Sequence, residues 1–358
     1  MTSGETSLGD LGERALVQRI RERIPAGEGV VVGAGDDAAA VELAAVALVT
    51  TDSLVEGVHF RRDLAPARLV GRKALSVNLS DVAAMGGIGR YAVVGLCLPA
   101  SVSAYWVDSL FDGLLERAAE SGVSVVGGNV SATWDAIVVD VTLLGETPRP
   151  VLRSGARAGD VVVVTGSLGA AAEGLRLLAQ GARLDDDGQL AAAGPWTESS
   201  AGAVLDCLRA QLDPRPPLGL ARSLAEHELA RAAIDVSDGL SADLAEMCRQ
   251  SGVAARIEAS AVPVASGVIG LERARGRDPL ELALHGGEDY ELLLAVEPRR
   301  FEELQELARV WGTPVSGIGE FYAAAPAVLI RDASGERPLE PRGHDHFRSA
   351  STPHRRQP

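Results

Sequence analysis

The sequence predicts a protein of mixed α and β class, built as two unequal halves. Three observations carry that expectation. At 358 residues the chain is longer than one ordinary core encloses. Along it, apolar stretches of strand length alternate with stretches whose apolar residues recur at helical spacing. Between residues 147 and 160, "TPRPVLRSGARAGD" is rich in Pro, Gly and Arg and breaks the pattern as an inter-domain crossing.

Taken in order, residues 1–11 are Gly-, Ser- and Thr-rich and are expected to be disordered, as is the tail 348–358. Leu16, Val17, Ile20 and Ile24 then recur at helical spacing before Pro25. "AAVALVTTDS" (44–53) reads as a buried strand running into polar residues. Residues 67–85 read as a helix stopped by Gly86 and Gly87. "YAVVGLCLP" is a strand, 103–121 a helix, and "VSVVGGN" and "AIVVDVTLLGE" are two further strands. Past the crossing, "DVVVVTGSLGAAAEGLRLLAQG" is a strand, a Gly-bearing turn and a helix. Residues 181–198, polar and rich in Asp and Gly, are expected as an exposed loop, after which helices and strands alternate to residue 332.

Composition narrows the function. Hydrophobic residues at 46% and charged ones at 23% fit a soluble globular protein. A formal charge of -15 argues against nucleic acid or any polyanion held by charge alone, so a phosphate ligand would need cations to mediate contact. Cys97, Cys207 and Cys248 are far apart and fit neither a disulfide scaffold nor a zinc site. With no leader-like start and no long apolar run, the expected location is the cytoplasm, away from membranes.

Acids collect in five short stretches. "GAGDDAA" carries Asp36 and Asp37, and "VTTDSLVEGVHF" carries Thr50, Thr51, Asp52 and His59. "KALSVNLSDVAAMGG" sets Asn78 and Asp81 on one face of a helix. "AIDVSDGL" puts Asp235 and Ser237 on one face of a strand end, with Asp238 at the turn. "LHGGEDYELLLAV" places Glu288 and Asp289 just before a strand. Singly, each reads more readily as a turn, a helix cap or a satisfied polar group. Their recurrence at the ends of apolar elements, where α/β proteins assemble sites, points instead to a ligand. Hard oxygen donors without paired His or Cys suit Mg²⁺ or Ca²⁺. Several such ions in so acidic a protein imply a highly anionic ligand, such as a nucleoside triphosphate. Lys73 is the sole lysine and follows Arg72, so no P-loop exists, and no protein-kinase motif set is present. "GAGDDA" lacks the full dinucleotide-binding pattern.

In order along residues 12–347, "GERAL", "GDDAA", "TTDSLVEGVHF", "KALSVNLSDVAAMGG", "GGN", "RSGARAGDVVVVTG", "IDVSDGLSADL", "HGGEDYELL" and "GHDHF" resemble the thiamine-monophosphate kinases. Those enzymes belong to the superfamily that includes aminoimidazole-ribonucleotide synthetase. The resemblance implies an N-terminal α/β half, 12–147, that pairs with its copy in a homodimer, and a C-terminal α+β half, 148–347. It implies transfer of the ATP γ-phosphoryl group to thiamine monophosphate, with several Mg²⁺ ions. The implied magnesium ligands are Asp37, Thr50, Thr51, Asp52, Asp81, Asp235 and Asp238. Nucleotide contacts are implied at Gly128, Asn129, Arg153 and Ser237, and substrate contacts at His59, Glu288 and His344. Asp243 is expected to be a solvated residue in the first turns of a helix.

Three positions depart from the family pattern. Asn129 stands where an Asp is frequent, which keeps an oxygen donor to Mg²⁺ but loses a charge. His344 stands where Trp or Tyr is usual, and Arg14 where Phe is common. A selenophosphate synthetase would show a reactive Cys or Sec beside a Lys before residue 73, and a hydrogenase maturation protein would end in Cys; the sequence has neither. A nucleotide or divalent-ion sensor would keep the acids but need neither His59 nor Glu288.

Overall fold

Two large β-sheets, each faced by helices, lie on either side of the crossing, with two small two-stranded sheets beside them. The structure, a computed structural model, describes residues 7–11, 13–25, 27–32, 40–192 and 196–343. In the N-terminal half these include α1 (Glu13–Arg21), β1 (Val46–Val55), α2 (Ala67–Ala84), β2 (Ile88–Pro99), α3 (Ala104–Ser121), β3 (Ser124–Thr133) and β4 (Val138–Thr147). The sheet runs β1-β4-β2-β3, with β2 and β3 parallel and the other pairs antiparallel. Strand alternation sends Leu48, Leu54, Val139, Val141 and Leu143 inward, under α2. On the other face Val49 is 69% exposed, and Thr51 and Ser53 point the same way.

Helices α2 and α3 approach more closely than side chains allow. A Cβ on Gly71 would lie 1.9 Å from the Leu110 carbonyl oxygen, and one on Gly113 would lie 1.8 Å from that of Arg68. Each helix therefore presents a bare backbone to the other. Ser103 caps α3 by accepting the Trp106 N–H, and Gly122 ends it in a left-handed conformation.

The C-terminal half contains β5 (Val161–Thr165), α4 (Ala170–Ala179), α5 (Ala201–Leu212), α6 (Leu218–Glu226), β6 (Ala232–Val236), α7 (Leu240–Ser251) and β7 (Ala254–Glu258). It continues with α8 (Ser266–Ala274), α9 (Leu280–His285), β8 (Glu291–Val296), α10 (Phe301–Val310), β9 (Val315–Tyr322), β10 (Val328–Asp332) and β11 (Gly335–Pro338). Its sheet runs β6-β8-β5-β9-β7-β10-β11, antiparallel except for β7 with β10. Helix α2 touches both halves: β1, β4 and α3 on one side, β6, β8 and α6 on the other. It is buried along almost its whole length, including Arg72, Lys73, Ser76, Asn78 and Ser80.

Two expectations are corrected. Residues 181–198 are not simply an exposed loop: Arg183–Leu184 pairs with Leu190–Ala192, and Leu184 is buried against the core. The Asp/Gly run makes the turn of that hairpin, and its flanking leucines supply the anchor. Residues Leu8–Leu11, expected to be disordered, form a helical turn whose Leu8 N–H donates to the Val102 carbonyl. Residues 1–6 and 344–358 lie outside the described residues, as does 33–39, which contains Asp36 and Asp37.

Gly71→Ala and Gly113→Ala should each destabilise the protein by roughly 1–3 kcal/mol, the range for forcing a methyl into packed structure. The readout is a lower urea midpoint with an unchanged slope. An unchanged midpoint in both variants would show that the helices separate at no cost.

Candidate functional site

Helix α2 carries polar side chains into the seam between the halves. Asp81, near its C-terminal end, accepts a hydrogen bond of 2.5 Å from the Thr50 hydroxyl on β1. Asp52 lies two residues along the same strand face, close enough to Asp81 for the two carboxyls to disfavour each other's charge. One residue before Asp81, Ser80 donates at 2.8 Å to Asp235, which is only 2% exposed on β6. Strand β6 ends at Val236, and Ser237 and Asp238 form the turn into α7. These acids line a cleft of about 340 Å³ shared with His59, Glu288 and Tyr290. Larger hollows of about 760 and 1000 Å³ lie elsewhere and contain none of Asp52, Asp81, Asp235 or Asp238.

The acids strain one another electrostatically. Asp52 is pushed up to about 6, first by burial, then by the charge and hydrogen bond of Asp81, then by Asp140. Asp235 is pushed up to about 7 by burial and then by Asp81, against which the Ser80 hydrogen bond and the Arg153 charge act. Such a donor set fits magnesium. All its donors are hard oxygens, and carboxyls that resist ionising together are those a divalent cation relieves. Among the described residues no three His, Cys, Asp or Glu are close enough to enclose an ion.

The opposite wall is a chain of buried polar contacts. Lys73 Nζ donates to Glu288 Oε1 at 2.6 Å and to the Gln211 carbonyl at 3.0 Å. Gln211 Nε2 donates to Glu288 Oε2 at 2.6 Å. Burial would push the Glu288 carboxyl up, but the Lys73 ammonium and these hydrogen bonds hold it below its usual range. Glu288 and Tyr290 both adopt left-handed backbone conformations, with φ of 66° and 51°.

The structure thus brings Asp52, Asp81, Asp235, Ser237, Asp238, His59 and Glu288 into one cleft, with Thr50 supporting Asp81. His59 is anchored by the Val55 N–H, which donates to its Nδ1 at 3.0 Å. Thr51 is not brought there. Period two turns it to the outer sheet face, where its hydroxyl donates to Asp140 at 3.3 Å. Gly128 and Asn129 lie on β3, at the sheet edge opposite β1, and the Asn129 amide donates to Ser131. Arg153 is exposed, close enough to Asp235 for its charge to act there. Asp37 and His344 lie outside the described residues. The chain leading to His344 passes the cleft, because a Cβ on Gly343 would sit 3.3 Å from Asp238 Cβ.

Asp243 needs correction: it is 4% exposed, not solvated. It accepts the Gly239 N–H at 3.0 Å, and burial first, then Asp235 and Asp238, push it up to about 8. Asn78 and Asp289 are internal struts. The Asn78 amide donates to the Ala74 carbonyl, and Asp289 accepts the Gly169 N–H at the start of α4. Sequence reasoning missed Ser80, Gln211, Tyr290 and Asp140 and gave Lys73 no role in the site. A lone lysine inside an apolar helical run was a signal for Lys73, and an acid interrupting "IVVDVTLL" was one for Asp140.

Known proteins are similar to this chain in sequence and fold. Residues 35–147 match the family described as AIR synthase related protein, N-terminal domain, and residues 157–330 match its C-terminal domain. The thiamine-monophosphate kinase of Aquifex aeolicus (strain VF5) is 34% identical over 341 residues, spanning 95% of this chain and 99% of its own. The crystal structure of thiamine-monophosphate kinase from Stenotrophomonas maltophilia K279a aligns with a TM-score of 0.76 at 32% identity, covering 88% of this chain and 95% of that one. A structure described as AaThiL complexed with AMPPCP and TMP aligns at 0.74 and 31% identity, covering 96% and 100%.

The raised carboxyls fix a pH dependence. Asp235 has an ordinary value of 3.8 and a folded, metal-free value of about 7. Its protonated form therefore contributes stability that is complete below its ordinary value and is lost as pH rises through about 7. In EDTA, thermal melts should show lower stability at pH 8 than at pH 5, and Asp235→Asn should narrow the gap. Adding Mg²⁺ at pH 8 should recover stability in the wild type more than in that variant. An identical gap in the two proteins would contradict the assigned environment.

Proposed function

The chain belongs to the thiamine-monophosphate kinases of the AIR synthase related family, and we propose that its cleft passes the ATP γ-phosphoryl group directly, in line, to the phosphate of thiamine monophosphate. The activity is ATP-dependent phosphorylation of thiamine monophosphate to thiamine diphosphate. One observation carries the mechanism: Asp52, Asp81 and Asp235 converge from both domains in a cleft too acidic for a polyanion without cations.

A phosphate monoester is already anionic near pH 7, so its oxygen needs no general base. The obstacle is repulsion between two polyanions, which bound Mg²⁺ ions relieve by neutralising and aligning the phosphates. Asp52, Asp81, Asp235 and Asp238 are the residues that would hold them, and the Thr50 and Ser80 hydroxyls keep Asp81 and Asp235 in place. Ser237 and Arg153 face the nucleotide in this reading, with Arg153 adding positive charge near its phosphates. His59 and Glu288 stand on the substrate side of the cleft. Asp37 as a ligand and His344 as a substrate contact rest on the family pattern alone.

Thr51, Gly128 and Asn129 act, on this reading, in a homodimer that sets the open face of the N-terminal sheet against a second copy. Supporting it, Val49 is 69% exposed on that face. We place the domain boundary at the start of the 147–160 crossing, giving domains 12–147 and 148–347. We place the activity in the cytoplasm, in keeping with three unpaired cysteines and, among the described residues, no helix long and apolar enough to cross a membrane.

Incubation with ATP, Mg²⁺ and thiamine monophosphate should yield thiamine diphosphate; ATP bound without product would point to a sensor. Asp81→Asn and Asp238→Asn should each lower kcat by roughly 100-fold or more, the scale of losing a preorganised electrostatic contact, with unchanged circular dichroism. Quenching turnover with γ-labelled ATP should trap no label on protein. A phosphorylated Asp or His would sink direct transfer.

A further inference from the structure

Two of the cleft aspartates are each held by a hydroxyl from another element: Asp81 by Thr50 on β1, and Asp235 by Ser80 on α2. Asp238 has no such hydroxyl partner among the described residues. It sits on the turn from β6 into α7, so the place of its carboxylate is set by the backbone of that turn. Whatever fixes the backbone fixes the side chain.

The turn is clamped on both flanks of Asp238. Before it, the Ser237 carbonyl accepts the Glu288 N–H at 2.8 Å, and a Cβ on Gly287 would lie 2.5 Å from that carbonyl oxygen. After it, Gly239 adopts φ of 112°, and a Cβ there would lie 2.9 Å from the Gly286 carbonyl oxygen, so only glycine fits. Standing just before α7, Gly239 presents an N–H that no helical carbonyl accepts. Asp243, one turn into the helix and 4% exposed, supplies the acceptor: its Oδ2 takes the Gly239 N–H at 3.0 Å. The Asp238 N–H also lies close enough to favour the charged form of that carboxyl. Ionised or protonated, the Asp243 side chain keeps an acceptor oxygen for Gly239. Loss of that acceptor would strand a buried N–H, a cost the turn can relieve only by moving.

We propose that Asp243 is a positioning residue for the metal site: by holding the Gly239 N–H, it sets the Asp238 carboxylate where a divalent cation meets it, without touching the cation itself. The inference rests on the kinase reading above, in which Asp238 is a magnesium ligand, and adds the group that stands behind that ligand.

The test follows Mg²⁺ binding without turnover, from the rise in melting temperature as Mg²⁺ is added to EDTA-treated protein. Asp243→Ala, which removes the acceptor, should weaken the apparent Mg²⁺ affinity by roughly tenfold or more, the scale for groups that orient metal ligands. Asp243→Asn keeps a carbonyl oxygen for the Gly239 N–H but no charge, and should stay within about threefold of the wild type. An Asn variant as weak as the Ala variant would show that Asp243 acts by charge or as a ligand itself, and overturns the assignment. In an Asp238→Asn background, Asp243→Ala should change the affinity by less than about twofold, because the ligand it positions is gone. An undiminished further loss there marks a merely structural role and likewise overturns it. Should Asp243→Ala fail to fold, Asp243→Leu, which fills the space without an acceptor, takes its place in both comparisons. A wild type that Mg²⁺ does not stabilise refutes the metal assignment behind the kinase reading. A stabilised wild type with an equally stabilised Asp243→Ala refutes only the positioning role.

Discussion

Helix α2 is buried on nearly every side while carrying Arg72, Lys73, Ser76, Asn78 and Ser80, and the rest of the structure answers to that constraint. A buried polar group without a partner costs about 1–3 kcal/mol, and three of these residues avoid that cost by reaching groups packed against the helix, whereas Ser76 Oγ has no partner among the described residues and the Asn78 amide bonds within the helix. Ser80 finds Asp235 on the second domain's sheet, Lys73 finds Glu288 in the turn before β8, and Arg72 finds Asp213 and Glu120. Buried ion pairs contribute little net stability against well-packed apolar residues, because desolvation offsets the attraction. What they supply here is register. Sliding α2 by one residue would break the contacts to both domains at once, so the helix fixes how the halves meet. The site sits where those contacts end, which is why its geometry and the interdomain seam are one arrangement.

The same burial explains how so many acids share one cleft. Asp52 and Asp235 are raised to about 6 and about 7, so the metal-free fold retains protons there that the unfolded chain would release. A cation entering the cleft would displace that protonation and relieve the repulsion together, coupling ion binding to the acids' charge. Lys73 keeps Glu288 out of this competition. With its charge already balanced, Glu288 neither titrates upward like Asp235 nor draws an ion away from the aspartates.

Much of this was legible in the sequence, and the illegible part has a physical cause. Asp52, Asp81, Asp235 and Asp238 could be read because each interrupts or ends an apolar element, a local signal. The crossing and the strand-helix alternation were legible for the same reason. Thr51 was grouped with Thr50 and Asp52 by adjacency, yet a strand sends neighbours to opposite faces, and the cleft receives only one of them. Asp243 looked solvated because a motif does not show which side of α7 packs inward. Gln211 gave no local signal at all: its carboxylate partner is Glu288, with both held by a lysine far back in the chain. Residues whose role is set by a distant partner are silent until the fold brings them together.

The turn carrying Glu288 and Tyr290 shows how such distant partners hold an unfavourable local conformation. Left-handed backbone at non-glycine residues costs of the order of 1–3 kcal/mol each, so something must over-determine it. Here the Glu288 N–H donates to the Ser237 carbonyl at 2.8 Å and the Tyr290 N–H to that of Val236 at 2.9 Å, extending the pairing of β6 with β8 past its regular end. The Glu288 side chain is then clamped by Lys73 and Gln211. Strand, turn and helix therefore agree on one position for each side chain, and the strain is absorbed by contacts from three separate elements. The product is a cleft wall that presents a phenol among carboxylates. Burial and those charges hold the Tyr290 hydroxyl well above its usual range, so it remains a neutral donor in a cleft rich in carboxylates.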